Sequence, residues 1–563
     1  MNGKCPRAYF LGQLSAIGEQ NSVIFTTFDR RLSYFRSEKS KIPLLFRSLN
    51  RNFDSRLSYS RSEKSKKLLL FRSLNRNFGT VMSEKSLKER TARGLIWGGM
   101  SNGIMQLLGA LFGLALMRLL TPADWGKVYM LNIFAALAST LQESGFIAAL
   151  CNKKEPTDRE YNAVFWFNLI VSGSLYIILW FLAPLIADFY GDPDLIPLAR
   201  FLFLGFLLSG LGTVQRAYLF GHLMVRETSI CGITAMLVSG AVGVSMAWCG
   251  FAHWGIVAQS VMFVLVVQLM NWYYSSWRPS LHIDLRPAWE MFNFSSKLLI
   301  TNVFNILNNH AFSVLLGKYF GNRQAGVYGT ARKWDDMAAG TINGMVTAVA
   351  QPTLAQVADD NGRYVQIFRK MLRFVAFVSF PALLGLGMIA EEFILLAGGE
   401  KWIESGRILA LLCIHGAFFP ITTLYSNLTI SRGHSGVNMA CTIGQCLAVW
   451  AGLILLYVNG YEMIHMVVFF IALNVLWLGI WQWWAKRLIG MKWRWAALDT
   501  MPFLGFTIGI LVLTWWATKP IENLWLLMLS RIGMAALLYA GIMWISGAKI
   551  MRETIGYLLH KKK

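Results

Sequence analysis

Apolar segments of about twenty residues recur from residue 94 to residue 546, with only short polar connections between them. A helix needs about 20 apolar residues to cross the hydrocarbon of a bilayer. Because lipid cannot satisfy backbone polar groups, such segments must fold as helices or as a closed barrel. The alternating pattern of barrel strands is absent. The sequence therefore predicts an all-α, polytopic membrane protein, in line with a charged content of only 15%.

The apolar segments define fourteen predicted spans and an orientation. Their approximate limits are 94–117, 127–150, 162–187, 196–219, 229–250, 254–276, 292–316, 325–351, 367–390, 405–428, 436–458, 463–485, 499–518 and 524–546. Loops on the side of the N-terminus and the C-terminal tail carry 26 Lys and Arg residues, against 8 on the other side. This bias predicts that both termini are cytoplasmic. The same bias accounts for the net charge of +23, so binding to nucleic acid is not needed to explain that charge.

The first 81 residues differ from the rest of the chain. Residues 31–53 recur at 56–78 with twenty of 23 positions identical. The segment is basic and has no apolar run long enough for a signal peptide. We interpret it as a translated upstream repeat and expect the working protein to start at Met82. A basic arm on the membrane surface is the alternative, and in either case we expect the segment to be disordered.

One predicted helix, Gly326 to Gln356, carries four charges near its start: Arg332, Lys333, Asp335 and Asp336. A charge in the middle of a membrane costs about 2.5–3.5 kcal/mol on insertion scales. Residues three or four apart on a helix can meet, so we expect Arg332 to pair with Asp335 or Asp336, and Lys333 with Asp336. The cluster is expected to face a water-filled cavity within the bundle.

Other spans also carry polar groups. Asn302, Asn305 and Asn309 fall on one helix face, which suits either sugar hydroxyls in a cavity or hydrogen bonds between helices. Glu143, near the end of span 2, is an intramembrane carboxylate, so it either has a functional role or pairs with a neighbouring group. Arg531, near the end of span 14, is expected to reach the interface with its charged tip.

Motifs for several chemistries are missing. The chain has neither a P-loop nor an HExxH motif, and its seven cysteines show no metal-type spacing. Asp192 and Asp194 form an acidic pair in a predicted outer turn, which is weak support for a metal-dependent glycosyltransferase. We predict no catalytic residue, no metal and no cofactor.

Four segments resemble bacterial oligosaccharide-lipid flippases of the Wzx type, in the multidrug/oligosaccharidyl-lipid/polysaccharide exporter superfamily. The segment at 320–339 (FGNRQAGVYGTARKWDDMAA) is similar to the opening of that family's eighth helix, with Gly326, Tyr328, Ala331 and Lys333 at its GxYxxAxK positions. Three shorter segments match in the same order, at 118–128, 141–146 and 396–412. The resemblance covers about 82–546, and the extension at 1–81 has no place in the family pattern.

The resemblance implies two six-helix bundles, within 82–290 and 291–490, around a central cavity. It also implies two extra helices and a basic cytoplasmic tail within 491–563. The implied function is transport of an undecaprenyl-diphosphate-linked oligosaccharide from the cytoplasmic to the periplasmic leaflet of the bacterial inner membrane, for export of lipopolysaccharide, O-antigen or capsule. The lipid-linked oligosaccharide and membrane lipid are the expected partners, together with a glycan polymerase and export machinery.

A mechanism and two alternatives follow. The diphosphate needs cationic partners, for which Arg332 and Lys333 are the first candidates and Arg118 and Arg216 the lesser ones. Asp335, Asp336 or Glu143 would couple transport to a proton or sodium gradient, if it is coupled at all. A multidrug exporter of the same superfamily is the first alternative, although it would need a net-negative cavity. A membrane-embedded glycosyltransferase or polymerase is the second.

Overall fold

The computed structural model describes residues 97–143, 156–222, 224–281, 284–287, 302–357 and 360–545. The repeat-containing extension at 1–81, the final tail and the junction between the two predicted bundles therefore lie outside the described residues, either wholly or in part. The described part consists of helices and connecting turns, with no strand in these ranges, which confirms the all-α prediction.

Helices α1 to α7 lie within the first predicted bundle, 82–290, and we refer to them as the N-terminal bundle. They are Trp97–Leu119, Pro122–Glu143, Asp158–Tyr190, Leu195–Gly210, Thr213–Gly221, Val225–Trp248 and His253–Tyr274. Helix α3 shows how local sequence sets an end: Thr157 and Glu160 form a capping box at its start, and Gly191 ends it in the left-handed conformation.

Helices α8 to α15 lie within the second predicted bundle, 291–490, and we refer to them as the C-terminal bundle; α16 and α17 follow it in the chain. They are 302–309, Ala311–Tyr319, Gly321–Gln356, Asn361–Met388, Ala390–Gly398, Ile403–Ser431, Ser435–Val458, Met463–Ile489, Trp493–Thr518 and Leu524–Ile545. A short 3₁₀ turn, Glu400–Trp402, joins α12 to α13. The predicted charged helix is α10, which starts five residues earlier than expected.

Ten of the helices in the described ranges are long and apolar enough to cross a membrane, or eleven if the bent pair α4 and α5 is one span. That pair bends by 45°. Predicted span 7 is also interrupted, because His310 separates α8 from α9. The protein is thus a multi-pass membrane protein, and the number fourteen stays a prediction.

Among the residues that the structure describes, one cluster of buried side chains joins the two bundles, and it lies at one end. The largest cluster of buried side chains contains residues of both bundles, such as Leu116 and Met130 with Tyr328 and Trp402. At the other end, one cluster belongs to the C-terminal bundle and includes Phe368, while a separate cluster around residues 161–165 belongs to the N-terminal bundle. We call the joined end the closed end.

Ion pairs attach α16 and α17 to the C-terminal bundle. Asp499 of α16 is buried and accepts hydrogen bonds from Arg369 at 2.6 and 3.1 Å. Arg531 of α17 is 7% exposed and pairs with Glu392. The expectation that Arg531 reaches the interface is therefore wrong, because a half-buried carboxylate on α12 gives its guanidinium a partner within the protein.

Candidate functional site

Helices α2 and α10 meet along a seam at the closed end, where glycines allow their backbones to touch. A β-carbon at Gly326 would lie 1.7 Å from the Pro122 carbonyl oxygen, and one at Gly126 would lie 1.8 Å from the Asn322 carbonyl oxygen. No side chain fits at either position. Because α2 belongs to one bundle and α10 to the other, this seam is a direct contact between the bundles.

Lys333 lies on the same side of α10 as the seam. Its ammonium sits 4.4 Å from the ring centroid of Trp125 on α2, a distance at which cation–π attraction operates. On α1, Gly113 makes room for it, since a β-carbon there would be 2.9 Å from Lys333 Nζ. The predicted Lys333–Asp336 pair is not among the ion pairs of the described residues, because Lys333 turns toward the N-terminal bundle.

Arg332 lies between two carboxylates of its own helix. Its Nε is 3.0 Å from Asp336 Oδ1, and its Nη1 is 3.9 Å from Asp335 Oδ2. The predicted pairing of Arg332 is therefore present with both acids. The carboxylates differ in surroundings, because Asp335 is 1% exposed whereas the side chain of Asp336 is 56% exposed.

Asp335 is pressed against α13. A β-carbon at Gly416 would lie 2.2 Å from Asp335 Oδ1, so only glycine leaves room for the carboxylate there. The neighbouring His415 places Nδ1 4.0 Å from Asp335 Oδ2. His415 was not predicted from the sequence. Its one signal was a histidine inside an otherwise apolar span.

Several polar atoms of this cluster are buried without a hydrogen-bond partner in the described structure. They are Arg332 Nη1, Asp335 Oδ1 and His415 Nδ1. Nearby His310, at the break between α8 and α9, has a buried Nδ1 in the same condition. Unsatisfied buried polar groups are costly, so a set of them in one place points to a functional cluster.

Arg118 joins the two bundles at the closed end. Its guanidinium donates to the carbonyl oxygens of Leu396 at 2.7 Å and Ala397 at 3.1 Å. Lys401 donates to the Arg118 carbonyl oxygen and Trp402 to that of Met117, both at 2.9 Å. We call this group the Arg118 latch. It places Arg118 in a contact between the bundles, away from the Arg332 cluster.

The remaining predicted site residues are spread out. Asn302 and Asn309 are exposed and Asn305 is half-buried along α8, consistent with one shared face. Arg216 lies exposed on α5, in the N-terminal bundle. Glu143 is the last residue of α2, and its side chain lies outside what the structure describes.

Asp192 and Asp194 form contacts at the closed end. Lys127 pairs with both, and Asn322 donates to Asp192 at 2.6 Å. The two carboxylates that would bind a metal in a glycosyltransferase are therefore already engaged in ion pairs and a hydrogen bond within the protein. In the ranges that the structure describes, no group of three His, Cys, Asp or Glu residues could hold a metal ion.

A family model described as "Polysaccharide biosynthesis protein" matches residues 115–407. The chain belongs to this family. The match includes α2, α10 and the latch, so Arg332, Asp335 and Asp336 lie within the shared region, whereas His415 lies just beyond it. The resemblance noted from the sequence is thus confirmed at the level of the family.

Curated relatives agree with this membership. The chain is similar to the lipopolysaccharide biosynthesis protein WzxC of Escherichia coli K12, with 27% identity over 63% of this chain and 72% of the relative. It is also similar to the teichuronic acid biosynthesis protein TuaB of Bacillus subtilis 168, with 26% identity over 69% and 82%. The succinoglycan biosynthesis transport protein ExoT of Rhizobium meliloti is 23% identical, over 69% of this chain and 76% of the relative.

Comparison with solved structures shows that the chain has the fold of known transporters. The lipid II flippase MurJ in an inward closed conformation superposes with a TM-score of 0.66 and 14% identity, over 82% of this chain and all of that one. An inward-facing multidrug transporter of the MATE family gives a TM-score of 0.56 and 15% identity, over 69% of this chain and 94% of that one. Both likenesses concern the fold alone.

Proposed function

We propose that this protein moves an undecaprenyl-diphosphate-linked oligosaccharide from the cytoplasmic to the periplasmic leaflet of the bacterial inner membrane. It is a transport protein of polysaccharide biosynthesis and not an enzyme. Membership of the polysaccharide biosynthesis family supports this substrate class, as do relatives named for lipopolysaccharide, teichuronic acid and succinoglycan.

One observation carries the proposal: in a membrane protein, the guanidinium of Arg332 on α10 lies near Tyr129 of α2 and pairs with an exposed carboxylate. A glycan cannot cross hydrocarbon without losing its hydrogen bonds to water, and a diphosphate needs a cation such as arginine. Arg332 meets this need, because its partner Asp336 is 56% exposed and can be displaced by a stronger anion. The prenyl chain would stay in the lipid.

Lys333 would act at a different stage. In this structure it stacks on Trp125 across the seam, so it is held by the N-terminal bundle while the closed end is shut. Separation of α2 from α10 would release it. We therefore assign Arg332 to the first contact with the diphosphate and Lys333 to a contact made when the seam opens. Asn302, Asn305 and Asn309 would contact sugar hydroxyls.

The orientation follows from the distribution of Lys and Arg. The closed end contains the loops that are poor in these residues, so it would face the periplasm, with both termini in the cytoplasm. The opposite end, where the described residues of the two bundles form separate clusters, would admit substrate from the cytoplasmic leaflet. Rocking of the two bundles would then alternate access. A glycan polymerase and export machinery would receive the product.

A multidrug exporter remains the second candidate, because the MATE transporter shares the fold. With Lys333 on Trp125, the remaining cluster of Arg332, Asp335 and Asp336 has a formal charge of minus one. A negative site would suit organic cations. Family membership favours the glycan lipid, and one genetic experiment distinguishes the two.

In a strain without its own flippase, wild-type protein should restore surface glycan. Arg332→Ala should abolish export, and Lys333→Ala should reduce it, at unchanged protein levels. Lys370→Ala, on α11, serves as a control for loss of a lysine. Full export by a normally expressed Arg332→Ala variant would remove Arg332 from the substrate site. Drug resistance without glycan export would favour the multidrug exporter.

A further inference from the structure

Four exposed cations lie around the turn between α15 and α16. They are Lys486, Arg487, Lys492 and Arg494. The stretch from 482 to 498 contains no acidic residue, and none of the four has an acidic partner in the part of the chain that the structure describes. The next acid along the chain, Asp499, is buried and already paired with Arg369 and Arg373. The turn therefore carries four positive charges that no described carboxylate neutralises.

Tryptophan rings, rather than carboxylates, position two of these cations. The guanidinium of Arg487 lies 3.9 Å from the ring centroid of Trp483, and the ammonium of Lys492 lies 5.3 Å from that of Trp495. A ring attracts a cation through its quadrupole but carries no net charge. The two side chains are thus held in place while their full positive charge remains free to attract an anion.

The turn itself is braced by buried hydrogen bonds. Gln482 is buried, donates to the carbonyl oxygen of Met491 at 2.9 Å and accepts from the hydroxyl of Tyr425 at 2.7 Å. Ile489 and Met491 are buried as well, and Gly490 between them takes the left-handed backbone conformation that ends α15. A braced turn has little freedom to lose when a ligand binds, so the cations are arranged in advance.

Exposed apolar faces run along both helices and meet the cations at the turn. On α15 one such face leads to Arg487, and on α16 another leads away from Arg494. The residues of these faces are Leu476, Ile480 and Trp483 on α15, and Leu498 and Met501 on α16. Spacings of three and four residues place each set and its arginine on one side of its helix. Exposed apolar surface in line with a cation suits a molecule with apolar chains and an anionic head.

We propose that the turn between α15 and α16 binds the headgroup of an anionic phospholipid, with the phosphate on Arg487, Lys492 and Arg494. The acyl chains would lie along the two apolar faces. Clusters of four or more Lys and Arg residues beside a membrane helix are typical of such recognition, and arginine can donate two parallel hydrogen bonds to a phosphate.

The diphosphate lipid of the proposed function has a related anionic head. Phospholipid surrounds this surface in large excess, however, so it prevails at the turn by mass action. The four cations lie on helices other than α10, which carries Arg332. The inference therefore goes beyond the proposed function and does not depend on it.

The test uses purified full-length protein in detergent with photoreactive phosphatidylglycerol, and with photoreactive phosphatidylcholine as the neutral probe. Labelled peptides are identified by mass spectrometry. Arg487→Gln with Lys492→Gln removes two charges, whereas Arg487→Lys with Lys492→Arg retains both. Lys519→Gln is the matched control, because the Lys519 ammonium also lies near a tryptophan ring, that of Trp515 at 5.8 Å, but at the other end of α16.

Phosphatidylglycerol should label residues 476–501 of the wild type in preference to phosphatidylcholine. Each cation near an anionic lipid contributes about fivefold to binding, so the double Gln variant should need about 25-fold more phosphatidylglycerol for half-maximal labelling. The charge-retaining variant and Lys519→Gln should match the wild type. If the double Gln variant does not fold, Lys486→Gln with Arg494→Gln gives the same comparison.

Three results would overturn the inference and leave the proposed function standing. The first is equal labelling of this segment by the two lipids, and the second is equal labelling of the wild type and the Gln variants. The third is loss of labelling in the charge-retaining variant, which would assign the effect to the shape of the turn. Displacement of phosphatidylglycerol by an equal amount of undecaprenyl diphosphate would also overturn it, because the transported lipid would then be the occupant.

Discussion

Gly326 of α10 lies so close to Pro122 of α2 that a β-carbon at 326 would be 1.7 Å from the Pro122 carbonyl oxygen. Two membrane helices from different bundles thus touch through their backbones, which small residues permit. A contact this close exists only while the bundles are together at that end. The glycines of the seam are therefore best understood as a requirement of one conformation rather than of the fold.

Replacing Gly326 or Gly126 with alanine should open the closed end. Overpacking costs about 1–3 kcal/mol, and here the cost falls only on the closed conformation, which corresponds to a shift in population of about 5–150-fold. Spin labels at the exposed positions Phe251 and Tyr461 would report the separation of the bundles. Gly340→Ala, on the same helix with open space around it, should leave the distance unchanged. An unchanged distance in Gly326→Ala would show that the seam does not hold the closed end.

Arg118→Ala should also favour opening, because it removes the hydrogen bonds to the Leu396 and Ala397 carbonyl oxygens. For an exposed guanidinium we expect about 1 kcal/mol. The same spin-label pair measures the effect, and Arg200→Ala, whose guanidinium lies over Trp180 within the N-terminal bundle, is the control. Loss of substrate binding with no change in distance would instead place Arg118 in the substrate site.

The contact between Lys127 and Asp194 should not respond to mild acid. The hydrogen bond from Lys127 holds the pKa of the Asp194 carboxyl below its usual value. A lowered folded-state pKa means that its contribution is complete above the unfolded value of about 3.9 and is lost as pH falls through the folded value. Asp194→Asn should therefore differ from wild type equally at pH 7 and 5.5, and the difference should begin to shrink only below the unfolded value of about 3.9. A difference that already fades at pH 5.5 would contradict this.

Asp499→Ala should destabilise the attachment of α16. It leaves Arg369 and Arg373 without the carboxylate they share. Losing one partner of a buried pair costs about 3–5 kcal/mol, and partial exposure of Arg369 reduces this to about 2 kcal/mol. Thermal unfolding in detergent measures it. Glu522→Ala, in the exposed turn after α16, should change stability by less than about 0.5 kcal/mol. Equal stabilities for the two variants would show that the pair does not anchor the helix.

Local spacing predicted part of what lies on one helix. The long charged helix, the pairing of Arg332 with an acid three or four residues along and the shared face of the asparagines all depend on a period of 3.6 residues, but the same spacing predicted a Lys333–Asp336 pair that is not among the ion pairs of the described residues. The apolar segments of the sequence likewise predicted an all-helical membrane protein, because lipid permits few alternatives.

Contacts between distant helices were not predictable in this way. Lys333 turned to Trp125, Arg531 to Glu392 and Asp335 to His415. Each partner lies on a helix far away in the chain, and each choice depends on which faces the bundles bring together. A charged residue inside a span indicates that a partner is required, but the sequence of its own helix does not identify that partner.

The most direct test of the central claim is transport of the lipid in vesicles. Purified protein is reconstituted with an undecaprenyl-diphosphate-linked oligosaccharide that carries a fluorophore on the glycan, and a membrane-impermeant quencher is added. In protein-free vesicles only the outer-leaflet label should be quenched, whereas wild-type protein should expose the inner-leaflet label and Arg332→Ala should not. Quenching by wild type that equals the protein-free value would contradict the account.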